Sequence, residues 1–148
     1  MANADAVAQN TQDTFSNYRL GKVTATPLNT AGNAVITIPL LGGGLTNSGN
    51  TTTSGGVIVR RVTVQNPSGS VASANVSIGS TADGANLVTA NTVLSSVSAG
   101  GKFQDISSTA TSTVVSGNVT QCLYVNVNTA SGNANTVDIC IWGDVVTF

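Results

Sequence analysis

The chain has 148 residues, a formal net charge of −1 and only 7% charged residues, where an ordinary soluble domain carries roughly 25%. It contains no histidine, and all six of its acidic residues are aspartates. These numbers exclude histidine-based acid–base chemistry and histidine metal sites. They also argue against nucleic-acid binding, which needs clustered Lys and Arg to release counterions.

Ser, Thr and Asn make up about a third of the chain, and Val and Ile dominate its apolar part. Straight-chain helix formers are scarce, whereas Val, Ile and Thr suit a pleated, half-buried surface. The composition therefore reads as all-β. A chain of this length buries roughly 70% of its unfolded surface, enough for a core without staples. Near-zero net charge favours association.

Residues 1–18 show no periodicity and read as an extended N-terminal arm, with a short helical piece around Ala4–Gln9. The opening residues have no basic region followed by an apolar run, so they do not read as a signal peptide. No stretch approaches the roughly 20 apolar residues of a membrane helix. The expected site of synthesis is a cytoplasm, and no membrane partner is expected. Three N-x-S/T triplets, at Asn50, Asn75 and Asn118, read as chance in so Asn- and Thr-rich a chain.

From residue 19 to 148 the pattern is that of one β domain. Leu20–Thr26 is a strand stopped by Pro27, and Val35–Leu40 is a second. Gly42–Gly56 reads as a long loop. Val57–Gln65 is a strand followed by the turn Asn66-Pro67-Ser68-Gly69 and by Val71–Ile78, so the two strands read as a hairpin. Asp83-Gly84 opens another turn. Leu87–Val97 reads either as one strand or as two short ones, Asn86–Ala90 and Thr92–Val97. Gly100-Gly101 precedes the strand Lys102–Ile106. Ser107–Asn118 holds an edge strand around Thr113–Val115. Gln121–Asn128 and Thr136–Val146 are clear strands. About eight strands with frequent turns predict a β-sandwich of jelly-roll type.

No constellation in the chain carries chemistry. The aspartates are Asp5, Asp13, Asp83, Asp105, Asp138 and Asp144, and no spacing marks two of them as a glycosidase pair. Ser98–Lys102 lacks both the first glycine and the Ser/Thr of a phosphate loop. Asp83 or Asp138 could join a calcium site, but no loop of established pattern surrounds either. The expectation is no enzyme, no cofactor and no metal.

The last two strands are the most informative. Period two sends Leu123, Val125, Val127, Val137, Ile139 and Ile141 to the core. Cys122, Tyr124, Cys140 and Trp142 then share the other face. Pairing of these strands about residue 131 or 132 sets Cys122 opposite Cys140 or Trp142. Two inert thiols are the expected state for a chain made in a reducing compartment, with a later disulfide as the alternative. Tyr124 and Trp142 stand on a face that should be solvated. Either the arm or a loop covers them, or they lie in a subunit interface, where aromatics are enriched. Arg60-Arg61 should place one arginine on each face of its strand. Both heads then sit in water at a strand edge, or one reaches a neighbouring chain. Tyr18, Arg19, Arg60, Arg61, Tyr124 and Trp142 are the candidate interface residues.

The lysine-poor Ser/Thr/Asn/Gly/Val-rich β domain, the segment Met1–Tyr18 before it, and a chain ending in the strand Trp142–Phe148 together resemble bacteriophage head decoration, or cement, proteins. The resemblance is one of overall character and includes no diagnostic motif. It implies a homo-oligomer, often a trimer, seated on the capsid exterior where major capsid subunits meet, stabilising the shell. The chain is short for a major capsid protein of a tailed phage. It also lacks the basic arm of many small RNA-virus coats, since no Lys or Arg precedes Arg19. The alternative is a carbohydrate- or cell-surface-binding module displayed on a virion.

Overall fold

The computed structural model describes residues 18–39, 55–81, 87–107, 114–116 and 122–147. Among these it is all-β, with no helix. The strands are β1 (Tyr18–Pro27), β2 (Gly32–Pro39), β3 (Gly55–Gln65), β4 (Asn75–Gly79), β5 (Leu87–Val93), β6 (Gln104–Ser107), β7 (Val114–Ser116), β8 (Cys122–Thr129) and β9 (Thr136–Thr147). The helical piece expected at Ala4–Gln9, the Asp83-Gly84 turn and most of the Gly42–Gly56 loop lie outside the described residues. Gly55 and Gly56, assigned to that loop by composition, instead open β3. Leu87–Val97 resolves as a single strand ending at Val93.

Two antiparallel sheets form a sandwich. One has the order β1-β9-β3-β6, with β7 pairing β3 on the same edge as β6, and the other has the order β2-β8-β4-β5. The pairs are nested along the chain. β4 pairs β5, β3 pairs β6 and β7, β2 pairs β8, and β1 pairs β9. The nested pairs alternate between the sheets, and β3·β9 and β4·β8 join them side by side.

The core lies between the sheets. All six residues expected there from the last two strands are buried, together with Leu20, Ile38, Val59, Val62, Val64, Val76, Ile78 and Val88.

Two expected hairpins do not form. β3 and β4 belong to different sheets, and so do β8 and β9. The segment between β3 and β4 crosses the end of the sandwich. Val71 donates its N–H to Val97 O at 3.0 Å, and Leu94 donates its N–H to Ala74 O at 2.9 Å. Val71 and Ala74 are fully buried, so they plug the end of the core, and β4 begins only at Asn75. The Asn66–Gly69 turn docks on the start of β9. Ser68 N–H donates to Thr136 O at 2.9 Å, and Thr136 N–H donates to Ser68 Oγ at 2.9 Å. Asn133 and Asn135 both donate side-chain N–H groups to Ser70 O. A turn signal fixes a change of direction, but the partner of each strand is set by which apolar face it must cover.

Candidate interaction surfaces

The outer face of the β1-β9-β3-β6 sheet is organised along β9. Ile139, Ile141 and Gly143 turn inward, leaving Asp138, Cys140, Trp142 and Asp144 outward. Each of these meets side chains from the flanking strands. Arg60 Nε donates to Asp144 Oδ2 at 2.9 Å. Trp142 stands in register between Arg19 of β1 and Arg61 of β3, and the Arg61 guanidinium lies 5.4 Å from the centroid of its ring. Cys140 lies between Lys22 and Thr63. Asp138 is bound by Lys22 Nζ and Asn66 Nδ2, both at 3.0 Å, and by the Ala25 N–H at 3.1 Å.

Asp138 has a structural role that its position on an alternating strand did not announce. Ala25 and Asn66 are the two non-glycine residues with positive φ among those described, at 50° and 51°. That conformation is uncommon outside glycine. One carboxylate bonds to both residues, holding a bulge in β1 and the exit of β3. Burial pushes the Asp138 carboxyl up, but the bonds from Asn66, Ala25 and Lys22 together outweigh it and hold the group below its ordinary value. Its oxygens are engaged by three hydrogen-bond donors, one of them an ammonium, which is the opposite of what a calcium ligand requires. Asp138 and Asp144 are six residues apart on one strand, roughly 20 Å, well beyond the about 5–9.5 Å of glycosidase pairs. Among the described residues no cluster of three metal-ligating side chains occurs.

The expectation that Arg60 and Arg61 point to opposite faces is wrong. Val59 pairs with Gly143 and Arg61 with Trp142, so Arg60 is the extra residue of a β-bulge. The bulge adds one residue to the alternation, which keeps Val59 and Val62 in the core while both arginines face outward. Neither lies at a strand edge, because β3 is an interior strand of its sheet. Both find carboxylates within the chain, Arg60 on Asp144 and Arg61 on Asp105 at 3.7 Å.

Gly143 is required by the close pairing of β9 with β3 at the bulge, where it stands opposite Val59. A Cβ there would collide with the Ile58 carbonyl oxygen and approach Leu20 Cδ1 to 3.0 Å.

The cysteines do not share a face either. Cys122 is on β8 opposite Pro39, and Cys140 is on β9. They turn outward from different sheets, and both are free and buried. Burial pushes the Cys140 thiol up, although Lys22 and Arg19 act to lower it. Tyr124 lies on the same outer face as Cys122, beside Thr37 of β2 and Gly79 of β4, and so is separated from Trp142 by the whole sandwich.

Tyr18 opens β1 opposite Gly143, and its side chain lies outside the described set. Arg19 is exposed. The predicted interface residues thus divide. Tyr18, Arg19, Arg60, Arg61 and Trp142 belong to one sheet, and Tyr124 to the other.

The two sheets differ in charge. β1, β3, β6 and β9 contain Arg19, Lys22, Arg60, Arg61, Asp105, Asp138 and Asp144. β2, β4, β5 and β8 contain no Asp, Glu, Lys or Arg at all. The outer face of this second sheet displays amides and hydroxyls. Asn128 Nδ2 donates to Ser77 Oγ at 3.1 Å and to Asn91 Oδ1 at 2.6 Å. Asn126, in register with Ser77, is 2% exposed, yet its Nδ2 and Oδ1 have no hydrogen-bond partner among the described residues. At the sandwich edge Leu87, Val93 and Phe103 are exposed large apolar residues. Gln104 bridges that edge, donating to Val93 O at 2.8 Å and accepting from Ser96 N–H at 3.0 Å.

No family model, curated protein or solved structure matches the chain.

Proposed function

We propose that the protein is a structural virion component, a decoration protein that sits on the outer surface of a phage head and reinforces the shell. The observation that carries this reading is the uncharged outer face of the β2-β8-β4-β5 sheet. Interface cores are depleted of charged residues, and seating a face without charges requires no ion to be stripped of water. The nested strand order supports reading the sandwich as a jelly roll, an architecture used by viral capsid and lectin domains.

In this reading the partners are further copies of the chain, as a homotrimer, and the major capsid protein of the same particle. The protein works on the capsid exterior after synthesis in the host cytoplasm. Its action is mechanical: several weak contacts made at once multiply through effective concentration. It is not an enzyme, and it needs no cofactor.

A second reading draws on the same face. Thr37, Tyr124, Asn91 and Asn128 present an aromatic ring and hydrogen-bonding groups of the kind that hold a neutral saccharide, so the chain would be a glycan-binding module on a virion.

Sedimentation equilibrium and a glycan-array screen on the full chain separate the two. A concentration-stable oligomer with no glycan binding supports decoration. A monomer at every concentration that binds a defined glycan overturns it in favour of the saccharide module.

A further inference from the structure

We propose that the surface around Arg19 and Trp142 receives residues 1–17 of a second copy of the chain, so that neighbouring subunits exchange arms. This rests on the self-association in the reading above and names where it occurs.

Charge points to the arm as the occupant. The chain has five cationic and six acidic residues. Asp138 is bound by Lys22, Asp144 by Arg60, and Asp105 by Arg61. Arg19 lies on the same face, exposed, and has no carboxylate partner among the described residues. The three carboxylates left over are Asp5, Asp13 and Asp83, and the first two belong to a segment without a single Lys or Arg. Lys102, the fifth cation, likewise has no carboxylate partner among the described residues but lies outside the strands of this sheet. An acidic segment therefore precedes, in the same chain, the one cation of this face left without a carboxylate among the described residues, on a face whose four cations and three carboxylates leave a net charge of +1.

Geometry then favours a neighbour over the chain's own arm. Asp13 is separated from β1 by Thr14–Asn17, four residues that include neither Gly nor Pro. To meet Arg19 of its own chain, Asp13 would need a tight reversal within those four residues, of which Ser16 and Asn17 are turn formers; meeting a neighbour's Arg19 needs no reversal. Extended, 17 residues reach about 55 Å at roughly 3.3 Å each, whereas a domain of this size is about 35 Å across. Seventeen residues are therefore long enough to span from β1 to an adjoining subunit.

Two further features mark this place as a receptor. Among the described residues β1 is the edge strand of its sheet and pairs only with β9, and edge strands accept an added strand through their backbone groups. The indole N–H of Trp142, in register with Arg19, is buried without an acceptor among the described residues.

The test is a charge swap on the full chain, read by sedimentation equilibrium. One variant carries Arg19→Glu, and the other carries Asp5→Lys and Asp13→Lys. Each alone is expected to self-associate at least about tenfold more weakly than the parent chain, which corresponds to about 1.4 kcal/mol. Mixed in equal amounts, they are expected to associate more strongly than either variant does alone, since in a mixed trimer two of the three arm contacts are again between opposite charges. The lysine-bearing arm of one variant then meets the acidic receptor of the other, and the unaltered aspartate arm meets Arg19. That gain on mixing also shows that neither variant failed to fold.

Variants that keep the parental mass overturn the arm contact while leaving the decoration reading intact. If mixing fails but all three substitutions placed in one chain restore association, the contact lies within a subunit and exchange is wrong. A parent chain that is monomeric at every concentration overturns both the exchange and the self-association it rests on.

Discussion

Arg61 lies across the ring of Trp142, its guanidinium carbon 5.4 Å from the ring centroid, and the pair exists because a bulge at Arg60 turns Arg61 outward. The chain has one tryptophan, so intrinsic tryptophan fluorescence reports on the surroundings of Trp142 alone. Arg61→Ala is expected to shift the emission maximum and to lower stability by about 0.5–1 kcal/mol, the scale of an exposed cation–π pair. An unchanged spectrum would mean that the two side chains do not touch in solution. Trp142→Ala is expected to weaken self-association more than subunit stability, measured by sedimentation and urea unfolding on the same samples.

Gly143→Ala is expected to be among the costliest small substitutions in the chain. Its methyl group would meet the backbone carbonyl of Ile58, which cannot rotate aside as a side chain can. A loss of about 2 kcal/mol or more is expected, on the scale of overpacking in a closed core. Urea unfolding measures it, and a change within about 0.5 kcal/mol, as at an unconstrained surface site, would show that β3 and β9 do not approach at Gly143 as described.

Asp138 makes stability depend on pH in a defined direction. Its carboxyl is held below the ordinary value of 3.8 in the folded chain. The stability it adds is therefore fully present above that value and is lost as the pH falls through and below it. Asp138→Asn should flatten the acid limb: its unfolding midpoint should fall less between pH 6 and pH 3 than that of the parent. Equal pH slopes in the two proteins would show that the carboxylate does not hold Ala25, Asn66 and Lys22 as described.

Cys122 and Cys140 should remain separate thiols. They lie in different sheets and turn outward from each, and facing sheets pack roughly 10 Å apart, beyond the ~7 Å Cα separation that a disulfide spans. Under mild oxidation the intact monomer should keep both thiols, and both should react with a thiol reagent only as the chain unfolds. An intramolecular disulfide in the folded protein would contradict the sheet assignment.

The sequence made some of these features legible and hid others for physical reasons. Alternation in Leu123–Val127 and Val137–Ile141 marked the core correctly, because period two is a local property of one strand. The partners of those strands are not local. Val71 and Ala74 carry apolar side chains that look like a strand, but they seal the end of the core, and this is why the expected β3–β4 hairpin failed. The Val59-Arg60-Arg61-Val62 run held the signal for the bulge: two charged residues between two core residues break the alternation by one. Asp138 was invisible as a hub because its partners are far away in the chain. The uncharged sheet could have been read from four strand sequences, but only once they were known to lie side by side.

If this chain acts by seating on a shell, the most direct measurement is made on shells of the virus that encodes it. Purified protein is mixed with shells that lack it, the bound amount is titrated, and the shells are then heated. Saturable binding at a fixed ratio to capsid subunits is expected, together with a higher temperature of shell rupture. Absence of binding, or binding that leaves the rupture temperature unchanged, would contradict the decoration role.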